Sequence, residues 1–137
     1  MRNIVYIALF IFGFTVALSI KGSDTNYALA ADSLDGKSFS IKIKEYGKDG
    51  EATDDELIFK DGKFFSTDCE QYGFTPAIYE SKSKGDVIKF ESTLTSEKEG
   101  KAEWEGKVKG DSIEGTFIWS KEGQDLFIYT YEGSNKQ

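Results

Sequence analysis

The sequence predicts an all-β domain, an eight-stranded antiparallel up-and-down β-barrel, and three observations lead there. Short runs alternate apolar and polar residues with a period of two, the pattern of strands with one dry and one wet face. Three pairs of runs meet at two-residue turn signals, Asp61-Gly62, Gly85-Asp86 and Gly110-Asp111. No helical period of any length intervenes. A meander of this size closes most economically into a barrel, because closure removes both exposed edges. A two-sheet sandwich is the alternative, but nothing in the chain suggests the long crossovers of a Greek key.

Residues 1–30 read as a secretory signal peptide. Met1-Arg2-Asn3 is a short basic start, positions 4–20 carry no charge, and Ala28-Leu29-Ala30 supplies the small-x-small pattern of a cleavage site. Retention of this segment as an N-terminal anchor is the alternative, since the apolar run is just long enough for a thin bilayer. Cleavage leaves residues 31–137 as a single domain, with no stable membrane association, in the periplasm or outside the cell. No cysteine sits near the cleavage site, which argues against a lipid-modified N-terminus.

The first strand covers 37–45, where Phe39, Ile41 and Ile43 alternate with serines and lysines. A polar loop is expected over 47–55. Strands over 56–60 and 63–67 fold back at Asp61-Gly62, a type I′ signal that pairs Phe59 with Phe64 and Leu57 with Ser66. Alternation fails over 68–76, which holds Cys69, Tyr72, Gly73, Phe74 and the single proline, Pro76. An apolar-bearing loop of this kind suits one end of a barrel, with Tyr72 and Phe74 closing the mouth; a plain irregular connection is the other reading. Strands over 77–83 and 87–95 turn at Gly85-Asp86, a register that opposes Lys82 to Lys89 and Glu80 to Glu91. Like charges so placed are unfavourable.

The most self-consistent hairpin runs over 101–120. Ala102, Trp104, Gly106 and Val108 on one arm face Trp119, Phe117, Gly115 and Ile113 on the other, around a Gly-first loop that suits a type II′ turn. The last strand covers 125–132, and its inner face is either Leu126, Ile128 and Thr130 or Phe127, Tyr129 and Tyr131. A polar tail follows from Gly133.

Composition excludes several functions. The chain has 137 residues and a net charge of −7, with no basic run. Nucleic acid and anionic membranes both demand lysine and arginine clusters, so neither is an expected partner. There is no histidine, the commonest general base and metal ligand, and one cysteine, which rules out an intramolecular disulfide. Burial is the expectation for Cys69, against pairing between chains. No Gly-x-Ser-x-Gly elbow appears, and carboxylates fall mostly on wet faces. The chain is not expected to be an enzyme, and no cofactor or metal is expected. The acidic cluster Asp49, Glu51, Asp54, Asp55 and Glu56 lacks the ligand spacing of a helix-loop-helix calcium site and reads as a solvated loop.

Eight strands enclose room for packed side chains or one small ligand. Tyr79, Ser81, Phe90, Ser92, Trp104, Phe117 and Trp119 fall on the expected inner face and are the candidate binding residues. In that reading the aromatic rings form walls, Tyr79 and the serines orient a small apolar molecule, and the Gly106–Gly115 pair leaves a gap. The competing reading is a filled core with no ligand, in which outer residues such as Ile58, Phe65, Ile118 and Tyr129 meet another protein.

Leu34-Asp35-Gly36-Lys37-Ser38-Phe39, Phe59-Lys60-Asp61-Gly62-Lys63-Phe64, Cys69 with Tyr72-Gly73-Phe74, and Gly110-Asp111-Ser112-Ile113-Glu114-Gly115 ahead of Trp119 carry a family resemblance. The chain resembles small exported bacterial proteins of unknown function with lipocalin-like (calycin-like) barrels. It departs from true lipocalins in having no Gly-x-Trp on the first strand. The resemblance implies carriage of a small apolar ligand and identifies none.

Overall fold

The computed structural model describes residues 34–136. The expected signal peptide and its cleavage site lie outside the described residues. Eight antiparallel strands form a closed barrel in simple sequence order: β1 (Ser38–Glu45), β2 (Thr53–Lys60), β3 (Lys63–Ser66), β4 (Ala77–Lys84), β5 (Val87–Ser96), β6 (Gly100–Lys109), β7 (Ser112–Ser120) and β8 (Phe127–Asn135). Pairing of β1 with β8, from Phe39 opposite Asn135 to Glu45 opposite Tyr129, closes it. That seam removes the sandwich alternative. A lipocalin-like barrel is consistent with this topology.

Turn chemistry fixes the registers. Asp61 and Gly62 both adopt positive φ (52° and 76°), as a type I′ turn requires, and Phe59 stands opposite Phe64. Gly110 has a φ of 60° while Asp111 does not, which suits type II′, and Val108, Gly106, Trp104 and Ala102 face Ile113, Gly115, Phe117 and Trp119. The weakest seam is β3–β4, held by two residue pairs, Lys63–Ile78 and Phe64–Ala77.

Three elements differ from the sequence expectation. β2 begins at Thr53 rather than Glu56, because Thr53, Asp54 and Asp55 continue the ladder opposite Ile43, Lys42 and Ile41. One helical turn, α1 (Thr67–Glu70), sits in the irregular stretch and packs against β2 and β3. β8 runs on through Gly133 and Ser134 into the expected tail, since these residues pair with Ile41 and Ser40 of β1.

Both ends are covered by chain. At the end where β2 turns into β3, Leu34 is fully buried and the backbone bonds Gly36 N to Phe59 O and Phe59 N to Lys37 O pin the entry segment. The Asp35 carboxylate accepts the Gly62 amide at 2.9 Å and the Tyr79 hydroxyl at 2.7 Å, tying that segment to β4. At the other end the loop after α1 folds over β5. Ser96 Oγ donates to Tyr72 O, the Thr75 amide donates to Thr95 O, and Phe74 is buried.

Candidate functional site

The interior is an unbroken aromatic network. Phe59 on β2 touches Phe39 on β1, Phe64 on β3, Tyr79 on β4 and Phe90 on β5, with ring centroids 4.9–6.1 Å apart. Phe64 touches Phe90 and Trp104, both at 5.3 Å, and Trp104 continues to Phe117 at 4.1 Å and Tyr131 at 5.2 Å. Phe59–Phe90 and Phe64–Trp104 join strands that are not neighbours in the sheet, so rings meet across the barrel rather than around its wall. Such edge-to-face and stacked pairs add specific geometry to the burial of large apolar surface.

The structure brings most candidate binding residues together, as core. Tyr79, Phe90, Trp104 and Phe117 are buried, and Ser92 is buried with its hydroxyl donated to Ile78 O. Ser81 and Trp119 are half-buried, and the Trp119 indole donates to Glu99 O at 2.7 Å. Of the two mouth residues, Phe74 is inside and Tyr72 is 54 % exposed. The inner face of β8 is Phe127, Tyr129 and Tyr131. Tyr129 stacks on Phe117 at 4.7 Å and Phe127 on Trp119 at 5.4 Å. Tyr129 therefore belongs to the interior and is corrected as an outer contact residue. Ile58 opposes Phe65 and Ile118 opposes Ile128 on the outer face, all but Ile128 half-buried.

The gap expected at Gly106 and Gly115 is occupied. A Cβ built on Gly106 would lie 2.3 Å from the Tyr131 hydroxyl, and one on Gly115 would lie 2.6 Å from it. That hydroxyl donates to Glu105 O at 2.8 Å, and burial, with the Glu105 charge second, raises its pKa well above the ordinary tyrosine value. Tyr131 was hidden in the sequence by the ambiguity of β8. The readable signal was a large residue in register with two glycines.

Asp55 is the second residue that the sequence concealed. It was expected in a solvated acidic loop; it is buried, because it continues the inward parity of Leu57 and Phe59. Its carboxylate accepts the Ser66 and Thr67 hydroxyls and the amides of Glu56 and Asp68, so it organises the start of α1. Burial raises its pKa above the ordinary 3.8, with those hydrogen bonds opposing the shift. A carboxyl whose folded pKa is raised holds its proton longer when folded than when unfolded. Its contribution to stability is therefore largest at low pH and falls as pH rises from the unfolded value through the folded one. Denaturant titrations of wild type and Asp55→Asn should show the wild-type advantage shrinking across that window and staying flat above it. An advantage that grows with pH there contradicts the assignment. Two other members of the cluster are paired at the surface: Asp54 with Lys42 at 2.6 Å and Glu56 with Lys136 at 3.3 Å.

Reactive chemistry is sparse. The Cys69 thiol is half-buried, and burial first, then the charges of Asp55 and Asp68, push its pKa up to about 11, against a hydrogen bond from Ser66. A thiol held in that form is a poor nucleophile at neutral pH. Among the described residues no group of three or more acidic, cysteine or histidine side chains is placed to hold a metal ion. Among the described residues the buried Trp104 indole N–H has no hydrogen-bond partner.

One depression lies along the barrel wall. It measures about 1750 Å³ and runs along β4 to β8 and β1, lined by outward side chains such as Lys82, Lys89, Glu91, Glu105 and Glu132 and also by the inward-parity residues Ser81, Phe90, Gly106, Gly115 and Tyr131. Barrels are waisted like a hyperboloid, so a groove around the middle of the outer wall is their natural surface feature. Compared with family models, curated proteins and solved structures, the chain matches none.

Proposed function

We propose that this chain is an exported, non-catalytic protein whose barrel interior is its own core and whose working surface is the outer wall. The observation that carries this reading is ring-to-ring contact across the barrel, Phe59 to Phe90 and Phe64 to Trp104. Side chains meeting there at van der Waals distance leave an apolar ligand nothing to displace but core packing. Export is supported by the uncharged run 4–20 followed by Ala28-Leu29-Ala30, and the periplasm or the extracellular space is the corresponding location. Resemblance to exported bacterial proteins with lipocalin-like barrels points the same way. A non-catalytic role is supported by the lack of histidine and by the raised pKa of the one thiol.

A second reading, binding of a small apolar molecule, is favoured by two observations. Among the described residues the Trp104 indole has no partner, and the stacked Trp119–Phe127 pair is half-exposed, as an aromatic lip would be. Native mass spectrometry of protein expressed from the full chain in a secreting host separates the readings. A bare mass before and after denaturation is the expected result. A reproducible added mass that leaves on denaturation rejects the filled-interior reading and gives the ligand class.

A further inference from the structure

Two straight rows of like charge lie side by side on the outer wall. Lys82 stands directly opposite Lys89, and Lys89 opposite Lys107, across β4, β5 and β6. Two residues along each strand, Glu80 stands opposite Glu91, and Glu91 opposite Glu105. All six side chains are exposed. Among the described residues, Lys107 has an ion pair with Glu114 at 3.9 Å and Glu105 accepts the Thr116 hydroxyl at 3.4 Å; the other four make no such contact. Like charges directly opposite one another destabilise a sheet, so the isolated barrel carries two unfavourable ladders on one face.

The order of the rows selects the occupant. A polyanion drawn to the lysines meets the glutamate row beside them, and a polycation meets the reverse. A partner must carry both rows in opposite order. We propose that the partner is a second copy of this chain, docked face to face through β4–β6 as an isologous dimer. A two-fold axis lying in the contact plane, parallel to the rows and midway between them, exchanges the rows. The lysines of each copy then sit on the glutamates of the other.

Barrel shape agrees with this axis. Strands tilt by about 35–45° from a barrel axis, and rows run across strands, so a two-fold along the rows crosses the two barrel axes near a right angle. A waisted wall is concave along the barrel and convex around it. Two such saddles crossed at a right angle fit one another, and the groove of about 1750 Å³ lies over these six residues. The inference rests on the reading that the outer wall is the working surface.

Sedimentation equilibrium of the protein expressed from the full chain tests it. Wild type should form a reversible dimer in about 20 mM salt, and its dissociation constant should rise at least about tenfold in about 0.5 M salt, where screening is strong. The triple variant Lys82→Glu/Lys89→Glu/Lys107→Glu should be monomeric, and so should Glu80→Lys/Glu91→Lys/Glu105→Lys. Mixed in equal amounts, the two should form a one-to-one pair. Lys89→Glu/Glu91→Lys keeps the two-fold complementarity with only two changes and should still dimerise, which covers failure of the triple variants to fold. A wild type that stays monomeric at about 1 mM in low salt overturns the proposal. So does a mixture that does not pair, or a triple variant that dimerises alone. A monomer leaves the filled interior standing, because the released mass judges that separately.

Discussion

Replacing Phe59 by alanine should destabilise the barrel by about 3–5 kcal/mol, the range for removing a fully buried aromatic ring. Phe59 is 0 % exposed and its ring is in contact with four others, from β1, β3, β4 and β5. Its loss leaves a cavity that strands held by a continuous ladder cannot close by collapsing. The cost should appear as a lower midpoint in urea with an unchanged slope, since native and unfolded surfaces change little. A cost below about 1 kcal/mol would mean that the ring lines open space, as the ligand reading requires.

Gly115→Ala should be more disruptive than Gly106→Ala, and only the latter should be rescued in part by Tyr131→Phe. An added Cβ at Gly106 meets the Tyr131 hydroxyl first, 2.3 Å away, with backbone and ring atoms next at 2.9 Å. At Gly115 the first contacts are backbone: Glu105 O at 2.1 Å and the Gly106 Cα at 2.6 Å. A side chain can retreat or be trimmed, whereas the neighbouring strand cannot move without breaking its ladder. The Tyr131→Phe change itself gives up the bond to Glu105 O, a loss of about 1 kcal/mol, so rescue is measured against that single variant. Thermal melts of the four proteins and the two doubles decide it. Equal rescue at both glycines would show that the hydroxyl alone sets the close approach.

Most of the barrel was legible because turn chemistry and alternation agree. Asp61-Gly62 and Gly110-Asp111 fix registers to the residue, and Phe59–Phe64 and Trp104–Phe117 then follow from a period of two. Legibility failed where the period could not choose a face. Both faces of the last strand carry apolar residues, Ile128 on one and Tyr129 on the other, so only the pairing of Phe117 with Tyr129 decides which is inside. Asp55 failed for a related reason. Its charge suggested water, yet its parity with Leu57 places it inside, where a set of donors on α1 and β3 offsets part of the burial cost. The glycine pair could be read either as space for a ligand or as a bend in the strands, because the residue that fills it comes from a strand whose face was undecided.

The candidate site was legible as a set of residues and not as a cavity. Tyr79, Phe90, Trp104 and Phe117 share the interior, as expected. Whether inward rings surround a ligand or touch one another depends on barrel diameter and side-chain direction, which strand patterns do not encode.

Trp104 reports on that question directly. The chain has two tryptophans, so Trp119→Phe leaves Trp104 as the sole indole. Its emission should be blue-shifted, unquenched by acrylamide and unchanged by saturating long-chain fatty acid, because rings of β3, β7 and β8 surround it. Emission that acrylamide quenches, or that a fatty acid shifts saturably, would place open space beside Trp104 and contradict a barrel filled by its own side chains.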